Sequence, residues 1–235
     1  MEISLCLDSA RPWPELLELA RRADEHGLYA IYVPDHFGIY REAWTLVSAL
    51  AVSTHTIRVG TLVLGVTHRL GPVVVEMGLS LDEVSGGRLV LGLGAAWNEV
   101  EHRSLGLAFP AAADRLNLLE STCRSLSDAG SPQLLVGGGG ERRTMPLAAR
   151  YASVWHTWAD PEAFGRKCAL MDGLCRFEGR EPSAVRRATG AMVLGEDDAA
   201  ATLAEYEDAG ADEFVIRDHH HASVATSFEA VLRAT

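Results

Sequence analysis

The sequence lacks basic runs and long apolar segments. Its 21 lysines and arginines are outnumbered by 32 aspartates and glutamates, which gives a formal net charge of −11. An acidic chain without a basic patch is a poor partner for nucleic acid or for an anionic membrane surface. No window approaches the roughly 18 apolar residues of a membrane-spanning helix, and Glu2 and Asp8 interrupt the only apolar stretch near the start. We expect a cytoplasmic protein that binds neither nucleic acid nor membrane.

Signatures of nucleophilic and metal chemistry are also missing. Neither a Gly-x-Ser-x-Gly motif nor a Cys/His nucleophile pattern occurs, and the acidic residues form no pair at a catalytic spacing. The consecutive His219, His220 and His221 resemble ligands, but neighbours on an extended chain point to opposite faces, so at most two could reach one ion. We therefore expect no metal site. The four cysteines lack close paired spacing and are interpreted as reduced core or helix-face residues: Cys6, Cys123, Cys168 and Cys175.

A regular alternation of strand and helix patterns runs through the chain. Residues 79–97 show one unit: a helix ends at the Gly86-Gly87 pair, an apolar run over 89–93 follows, and small residues from Gly94 lead to Trp97. The predicted strands cover residues 3–7, 29–33, 57–64, 89–93, 133–136, 154–158, 187–194 and 213–216. Helices are predicted after them, among others over 72–83, 142–151, 161–178, 197–209 and 223–234.

Eight strand–helix units could form a closed barrel or an open doubly wound sheet. In an open sheet the ligand groups gather where the strand order reverses, whereas in a barrel every strand ends at one mouth. Here polar or glycine-rich clusters follow nearly every strand: Asp35-His36, Thr67 to Arg69, Gly94 to Trp97, Gly137 to Gly140, His156, and Arg217 to His221. This distribution favours a (β/α)8 TIM barrel, formed by a single domain over residues 1–235.

The strongest local signal is a glycine turn at residues 137–140. Bare backbone N–H groups at a helix start suit an anion, and Arg142, Arg143 and Thr144 add further donors. The turn therefore predicts a phosphate site that includes Gly138, Gly139 and Gly140. The alternative is a flexible turn whose arginines are merely solvated.

Other site candidates also lie at strand ends. His36 could donate to a substrate or carry a proton near neutral pH, with Asp35 fixing its tautomer, or it could simply bond to backbone. His68 and Arg69 could meet an anion or a cofactor carbonyl, or be exposed loop residues. Three tryptophans could wall a flat aromatic ligand or belong to the core: Trp97, Trp155 and Trp158.

Four stretches together resemble the bacterial luciferase-like monooxygenase superfamily, and within it the deazaflavin (coenzyme F420)-dependent oxidoreductases. They are DHF at 35–37, EAWTLVSALAVSTHTIRVGTLVLGVTHR at 42–69, SLDEVSGGRLVLGLGAAWNEVEHRSLGLAFP at 80–110 and GGGGERRTMPLAARYASVW at 137–155. The similarity covers nearly the whole chain. It implies a TIM barrel, the fold that the periodicity also predicts, and it suggests a homodimer.

The resemblance also assigns roles to residues. It makes His36 the active-site histidine near the reactive carbon of the flavin or deazaflavin ring. It also makes the glycine turn the site for the cofactor phosphate. It places a non-proline cis peptide in the third strand, at Leu62-Val63, where a bulge would lie behind the flavin or deazaflavin ring. Gly94 and Trp97 join the expected cofactor-binding residues.

The sequence departs from the family pattern in several places. The long insertion usual between the fourth helix and the fifth strand is reduced to residues 127–132, so the pocket should be more open or be covered by a partner subunit. Ala96 replaces a common glycine, and Glu76 stands where lysine is frequent. The acidic catalytic residue of some sugar-phosphate dehydrogenases has no evident counterpart. His156 replaces an asparagine, which suggests a second proton donor.

These observations predict an oxidoreductase that moves a hydride between coenzyme F420 and a small organic substrate. His36 would give or take the proton and His156 would assist, while the cofactor supplies the hydride chemistry. The alternatives are an FMN-dependent monooxygenase and a non-catalytic protein that binds a flavin or deazaflavin. The sequence specifies neither the substrate nor the direction of transfer.

Overall fold

The computed structural model describes residues 1–191 and 199–217. Its elements alternate as β1 (Glu2–Cys6), α1 (Trp13–Glu25), β2 (Ala30–Val33), α2 (Ala43–Ser53), β3 (Arg58–Thr61), β4 (Leu64–Gly65), α3 (Gly71–Ser85), β5 (Leu89–Gly94), α4 (Glu99–Ser104), α5 (Ala112–Ala129), β6 (Gln133–Gly137), α6 (Thr144–Tyr151), β7 (Val154–His156), α7 (Pro161–Phe177), β8 (Arg186–Ala191), α8 (Ala199–Asp208) and β9 (Glu213–Arg217). A 3-10 turn, Pro182–Ala184, precedes β8. The predicted helix over 223–234 and the end of the predicted strand over 187–194 lie outside the described residues.

The strands close into a parallel barrel. Their order is β3-β2-β1-β9-β8-β7-β6-β5-β4, and a further pairing of β3 with β5 completes the ring. The strands β3 and β4 both pair with β5 and act as one barrel position, interrupted at Leu62-Val63. The predicted (β/α)8 barrel is confirmed. So is the cis peptide bond, which joins Leu62 to Val63 as the family resemblance implied.

Two glycines allow the third barrel position to approach β5 closely. A side chain on Gly92 would place its Cβ 1.9 Å from the carbonyl oxygen of Thr61, and one on Gly60 would meet the carbonyl oxygen of Val90 at 2.2 Å. Only glycine fits at such distances. The Thr61 hydroxyl also donates to the Gly92 carbonyl oxygen at 2.9 Å. These contacts fix the strands on either side of the cis bond.

The core has two parts. The larger lies between the barrel and its helices, where Trp155 stacks parallel to Phe164 of α7 with ring centroids 5.8 Å apart. The smaller fills the barrel interior with a short list of side chains: Cys6, Ala30, Tyr32, Val90, Leu135, Val154, Ala188 and Val215. Within the described ranges, no helix is both long and apolar enough to cross a bilayer.

Some boundaries differ from the sequence prediction. The predicted strand over 57–64 is split by the cis bond, and the predicted strand over 154–158 ends at His156. The short helix α4 was not predicted. The connection from α5 to β6 is only residues 130–132, so the long insertion is absent here, as the sequence indicated.

A buried carboxyl group lies at the start of β9 and makes stability depend on pH. Glu213 is fully buried and accepts hydrogen bonds from the Ser4 hydroxyl at 2.6 Å and the Tyr32 hydroxyl at 2.9 Å. Burial raises the pKa of Glu213 despite these two bonds. The folded state therefore holds this proton more tightly than the unfolded state, and its stability falls as the pH rises above the usual carboxyl range.

Replacing Glu213 by glutamine is expected to remove this pH dependence. From pH 5 to pH 8 the wild type should lose stability relative to Glu213→Gln, by about 1.4 kcal/mol for each unit by which the pKa is raised. Urea unfolding at both pH values measures the difference. A difference in free energy of unfolding that stays constant between pH 5 and pH 8 would contradict the assignment.

Candidate active site

A cavity of about 440 Å³ opens at the carboxyl ends of the strands. We call it the mouth cavity. Its lining brings together most of the predicted site residues: Asp35, His36, Leu62, Val63, Gly94, Trp97, Gly138, Gly139, Thr144 and His156. Glu101, His102, Thr157 and Trp158 also line it. Active sites of TIM barrels form at this end of the fold.

Val63 forms part of the cavity floor because two glycines leave room for it. A Cβ on Gly94 would lie 2.6 Å from one Val63 methyl, and a Cβ on Gly137 would lie 2.8 Å from the other. Any larger residue at either position would displace the valine. The bare glycines therefore leave the space that the Val63 side chain occupies at the mouth.

Asp35 is the centre of a buried charge network. Its carboxylate accepts from the Gly65 amide at 3.2 Å, from His68 Nδ1 at 3.0 Å and from Arg69 Nη1 at 2.9 Å. Burial alone would raise the pKa of Asp35, but the hydrogen bonds from His68 and Arg69 hold it below its usual value. Asp35 is therefore ionised at neutral pH. The prediction that Asp35 fixes the tautomer of His36 is wrong, since these other groups occupy the carboxylate.

Glu101 takes that place beside His36. Its Oε2 lies 3.2 Å from His36 Nδ1, and its Oε1 accepts the Phe37 amide at 2.5 Å. The side chain of Glu101 is 2% exposed, whereas that of His36 is 27% exposed. Glu101 was not predicted as a site residue because α4 was not predicted. The signal was present, since Asn98 caps that helix by accepting from the Glu101 amide, the pattern of an N-cap with a glutamate three residues later.

The glycine turn is held from three sides. The Gly138 amide donates to the His156 carbonyl oxygen at 2.8 Å, and the Trp155 indole donates to the Gly138 carbonyl oxygen at 2.9 Å. Lys167 Nζ lies 2.7 Å from the Gly139 carbonyl oxygen. Trp155 therefore supports the turn from the core and does not wall the cavity. Gly138 has φ +133°, a conformation that L side chains rarely adopt.

The donors predicted around the turn are distributed unequally. Thr144 begins α6 and lines the cavity. Arg142 and Arg143 are exposed, and Arg143 donates to Asn117 Oδ1 at 3.0 Å. Gly140 is exposed beside them. A phosphate-binding role for Gly140 and the arginines stays a prediction.

His156 ends β7 with its ring edge-on to Trp158, the centroids 4.6 Å apart. The residue is 3% exposed and lines the mouth cavity. Among the described residues its Nε2 has no hydrogen-bond partner. Burial lowers the pKa of His156 to about 3, so the ring is neutral at pH 7. At pH 7 this ring can therefore donate or accept a hydrogen bond, but it carries no positive charge.

Because His156 is buried as a neutral ring, the free energy of unfolding is expected to fall in acid. The unfolded chain takes up a proton on this histidine below about pH 6.5, whereas the folded chain resists until about pH 3. Between pH 8 and pH 5 the wild type should lose about 2 kcal/mol of stability that His156→Gln does not lose. Urea unfolding of both proteins at the two pH values measures it. Parallel losses in the two proteins would contradict the burial of a neutral His156.

The loop from Gly94 to Asn98 carries an exposed aromatic ring and a strained residue. Trp97 is 73% exposed, and its ring lies edge-on to His36 with centroids 5.7 Å apart. Ala96, which replaces the glycine common in the family, has φ +56°. A left-handed conformation costs an alanine roughly 1–2 kcal/mol. Trp97 and Trp158 line the mouth cavity and are exposed in part, and a role in walling a flat ligand stays a prediction.

Metal chemistry has no support in this region. Within residues 1–191 and 199–217 no group of three or more histidine, cysteine, aspartate or glutamate side chains could hold a metal ion. The triplet His219 to His221 lies outside the described residues.

The chain is a closed α/β barrel whose mouth brings His36, beside the Glu101 carboxylate, and the glycine turn into one cavity, at the end of the fold where TIM-barrel sites form. The family model described as luciferase-like monooxygenase matches residues 2–235. The chain belongs to this family, as the sequence motifs indicated.

Two relatives are named as a dehydrogenase and a reductase, and the name of the first includes coenzyme F420. The chain is 31% identical over 201 residues to an F420-dependent glucose-6-phosphate dehydrogenase of Microbacterium testaceum, covering 69% of this chain and 59% of that protein. It is 31% identical over 83 residues to a 5,10-methylenetetrahydromethanopterin reductase of Methanolobus tindarius, covering 35% of this chain and 25% of the relative. The matches thus span less than two thirds of these relatives.

The fold has close solved counterparts. The coenzyme F420-dependent tetrahydromethanopterin reductase of Methanopyrus kandleri superposes with a TM-score of 0.83 at 13% sequence identity, covering 100% of this chain and 98% of that one. At this identity the likeness shows a shared fold.

Proposed function

We propose that the chain is a cytoplasmic oxidoreductase that uses coenzyme F420 and transfers a hydride between it and a small organic substrate at the mouth cavity. The observation that carries the proposal is the half-buried His36, held by the buried Glu101 at the edge of a cavity whose far side is a glycine turn. The relative of Microbacterium testaceum that is named as F420-dependent supports the choice of cofactor.

The residues at the mouth suit a flat phosphorylated molecule. Gly94 and Gly137 have no side chains beside Val63, so nothing projects from the cavity floor at these two positions. Trp97 and Trp158 line the cavity and are exposed in part. The unpartnered Nε2 of His156 requires a hydrogen-bonding group from a ligand or solvent, since a buried polar atom without a partner is costly. Gly138, Gly139 and Thr144 would face the phosphate, with Arg142 and Arg143 turning toward it from the surface.

The bound deazaflavin would supply the hydride acceptor or donor. His36 faces the cavity and would take or give the proton that accompanies the hydride, with Glu101 behind it. His156 stays neutral at pH 7, so we propose that it holds the cofactor or substrate through a hydrogen bond rather than acting as a second acid. Trp97 and Trp158 would keep water from the reacting atoms.

A turnover panel tests the proposal. The purified chain is mixed with F420 and primary or secondary alcohols, and with reduced F420 and carbonyl compounds, imines or activated alkenes, while the deazaflavin absorbance is followed. A parallel series uses reduced FMN with oxygen. Turnover in an F420 series supports the proposal. Turnover only with FMN and oxygen would replace it by a monooxygenase, and F420 binding without any turnover would replace it by a ligand carrier.

We also propose a homodimer, as the family resemblance suggests. Several apolar side chains are exposed beside the mouth on α3, α4 and the neighbouring loops: Ile39, Leu70, Val73, Trp97 and Val100. A second copy covering them would remove this apolar surface from water. The shortened α5–β6 connection leads into the amino end of β6, opposite the mouth, so the expectation that it opens the pocket is wrong. Light scattering on the purified chain measures the mass, and a monomer at micromolar concentration would contradict this assembly.

A further inference from the structure

We propose that Glu101 is a positioning residue, which holds His36 as the Nδ1–H tautomer and thereby presents the bare Nε2 of His36 to the mouth cavity as a base. The chemistry of this inference rests on the proposed function. The tautomer itself does not, because it is a property of the protein without any ligand.

One backbone contact and two carboxylate contacts hold Glu101 in place. Asn98 Oδ1 accepts the Glu101 amide at 3.2 Å and so fixes the backbone at the start of α4. Glu101 Oε1 accepts the Phe37 amide at 2.5 Å, and Oε2 lies 3.2 Å from His36 Nδ1. His36 and Phe37 are adjacent, so the carboxylate contacts both the His36 ring and the Phe37 backbone in the loop after β2. Since it is 2% exposed, little water competes for these bonds.

The other polar groups near Glu101 are either too far from its carboxylate for a hydrogen bond or bound to other residues. His68 Nε2 is 3.9 Å from Glu101 Oε1, too long for a hydrogen bond, and His68 Nδ1 is bound to Asp35. Asp35 is in turn paired with Arg69, which also binds Glu42. The next histidine on α4, His102, is engaged by Thr67 and by the Asn98 carbonyl oxygen. His36 is therefore the imidazole that Glu101 Oε2 contacts within hydrogen-bond distance.

The acceptor character of Glu101 decides the tautomer. An ionised carboxylate only accepts, so the His36 nitrogen that faces it must carry the proton. Neutral imidazole has a single N–H, so Nε2 retains its lone pair. If an alcohol were oxidised at the mouth, bound F420 would supply the hydride acceptor for the hydrogen and two electrons of the C–H bond. His36 Nε2 would take the proton of the O–H bond as the C=O bond forms.

Glutamine at position 101 would reverse this arrangement without changing the size of the side chain. The Phe37 amide needs an oxygen acceptor, so the amide oxygen of the new side chain is expected to face Phe37. Its NH2 group then faces His36 Nδ1 and donates to it, which moves the imidazole proton to Nε2. Replacing the carboxylate that fixes the tautomer of a catalytic histidine by an amide lowers kcat by up to about 10⁴-fold in serine proteases.

The direct test is ¹⁵N NMR of histidine-labelled, ligand-free protein at a pH where His36 is neutral. The His36 signals are assigned by their loss in His36→Asn. We expect the Nδ1–H tautomer in the wild type and the Nε2–H tautomer in Glu101→Gln. The matched control is Glu99→Gln, on the same helix with a side chain 60% exposed, which should keep the wild-type tautomer. The Nε2–H tautomer in the wild type would overturn the proposal by itself, even if Glu101→Gln fails to fold.

A chemical probe gives a second readout that needs no cofactor. Diethyl pyrocarbonate acylates a bare imidazole nitrogen, and His36 is 27% exposed. Peptide mass spectrometry should show severalfold slower labelling of His36 in Glu101→Gln than in Glu99→Gln, and equal rates would contradict the proposal. If the panel above yields no F420 turnover while both readouts agree with the expectation, the proposed function fails and the positioning role of Glu101 stands.

Discussion

Replacing His36 by asparagine should lower the rate of hydride transfer by about 10²–10⁴-fold, the usual contribution of a general acid or base. The asparagine amide can occupy the position of the Nδ1 edge and keep a hydrogen bond to Glu101. It offers no titratable nitrogen at the position of Nε2, so the proton that accompanies the hydride has no acceptor. Affinity for F420 should change little, since the glycine turn and the cavity floor are untouched.

Single-turnover reduction of F420, followed by its absorbance, measures this rate, and fluorescence titration measures the affinity. His55→Asn is the matched control, because His55 is exposed before β3, at the opposite end of the barrel from the mouth. An unchanged rate in His36→Asn would reassign the proton-transferring group or favour a protein that only carries its ligand.

Replacing Gly138 by alanine should weaken F420 binding at least about tenfold, equivalent to about 1.4 kcal/mol. The backbone at this position has φ +133°, and a Cβ there would lie 3.0 Å from Thr144 Cγ2. An alanine held in the native backbone conformation would cost about 1–3 kcal/mol. The turn in Gly138→Ala is therefore expected to adopt another conformation. The Gly138 amide is bound to the His156 carbonyl oxygen. The phosphate donors would therefore be the Gly139 and Gly140 amides and the Thr144 hydroxyl, and they would no longer converge on one phosphate.

Equilibrium titration with F420, monitored by fluorescence, determines the change. Gly173→Ala serves as the control, because this glycine lies in α7 with open space where a Cβ would stand. It should bind F420 like the wild type and unfold at a slightly higher urea concentration. Wild-type affinity in Gly138→Ala would mean that the phosphate does not depend on this turn.

The barrel was predictable because its signals are local and repeated. Runs such as residues 89–93 are apolar on both faces, as strands covered on both sides must be, and the Gly86-Gly87 pair closes the preceding helix. The polar ends of successive strands decided between a barrel and an open sheet. The cis bond at Leu62-Val63 came from the family resemblance alone, since no local pattern in those residues marks it.

Pairings within the site were harder to predict than its location. Asp35 and His36 are neighbours, so the sequence suggested that they pair, but adjacent residues at a strand end point in different directions. The carboxylate that reaches His36 comes from Glu101, 65 positions further along the chain. Likewise, Trp155 was one of three tryptophans that looked alike in the sequence, and only the register of β7 shows that it lies beneath the glycine turn.

The central claim is that the mouth cavity binds a deazaflavin through the glycine turn and presents it to His36. One fluorescence titration of the purified chain with F420 and with FMN, each also in competition with the other, tests it most directly. We expect saturable F420 binding at one site per chain, with FMN weaker by at least about tenfold, a difference of about 1.4 kcal/mol in binding free energy. Tighter binding of FMN, or no binding of F420, would contradict the account.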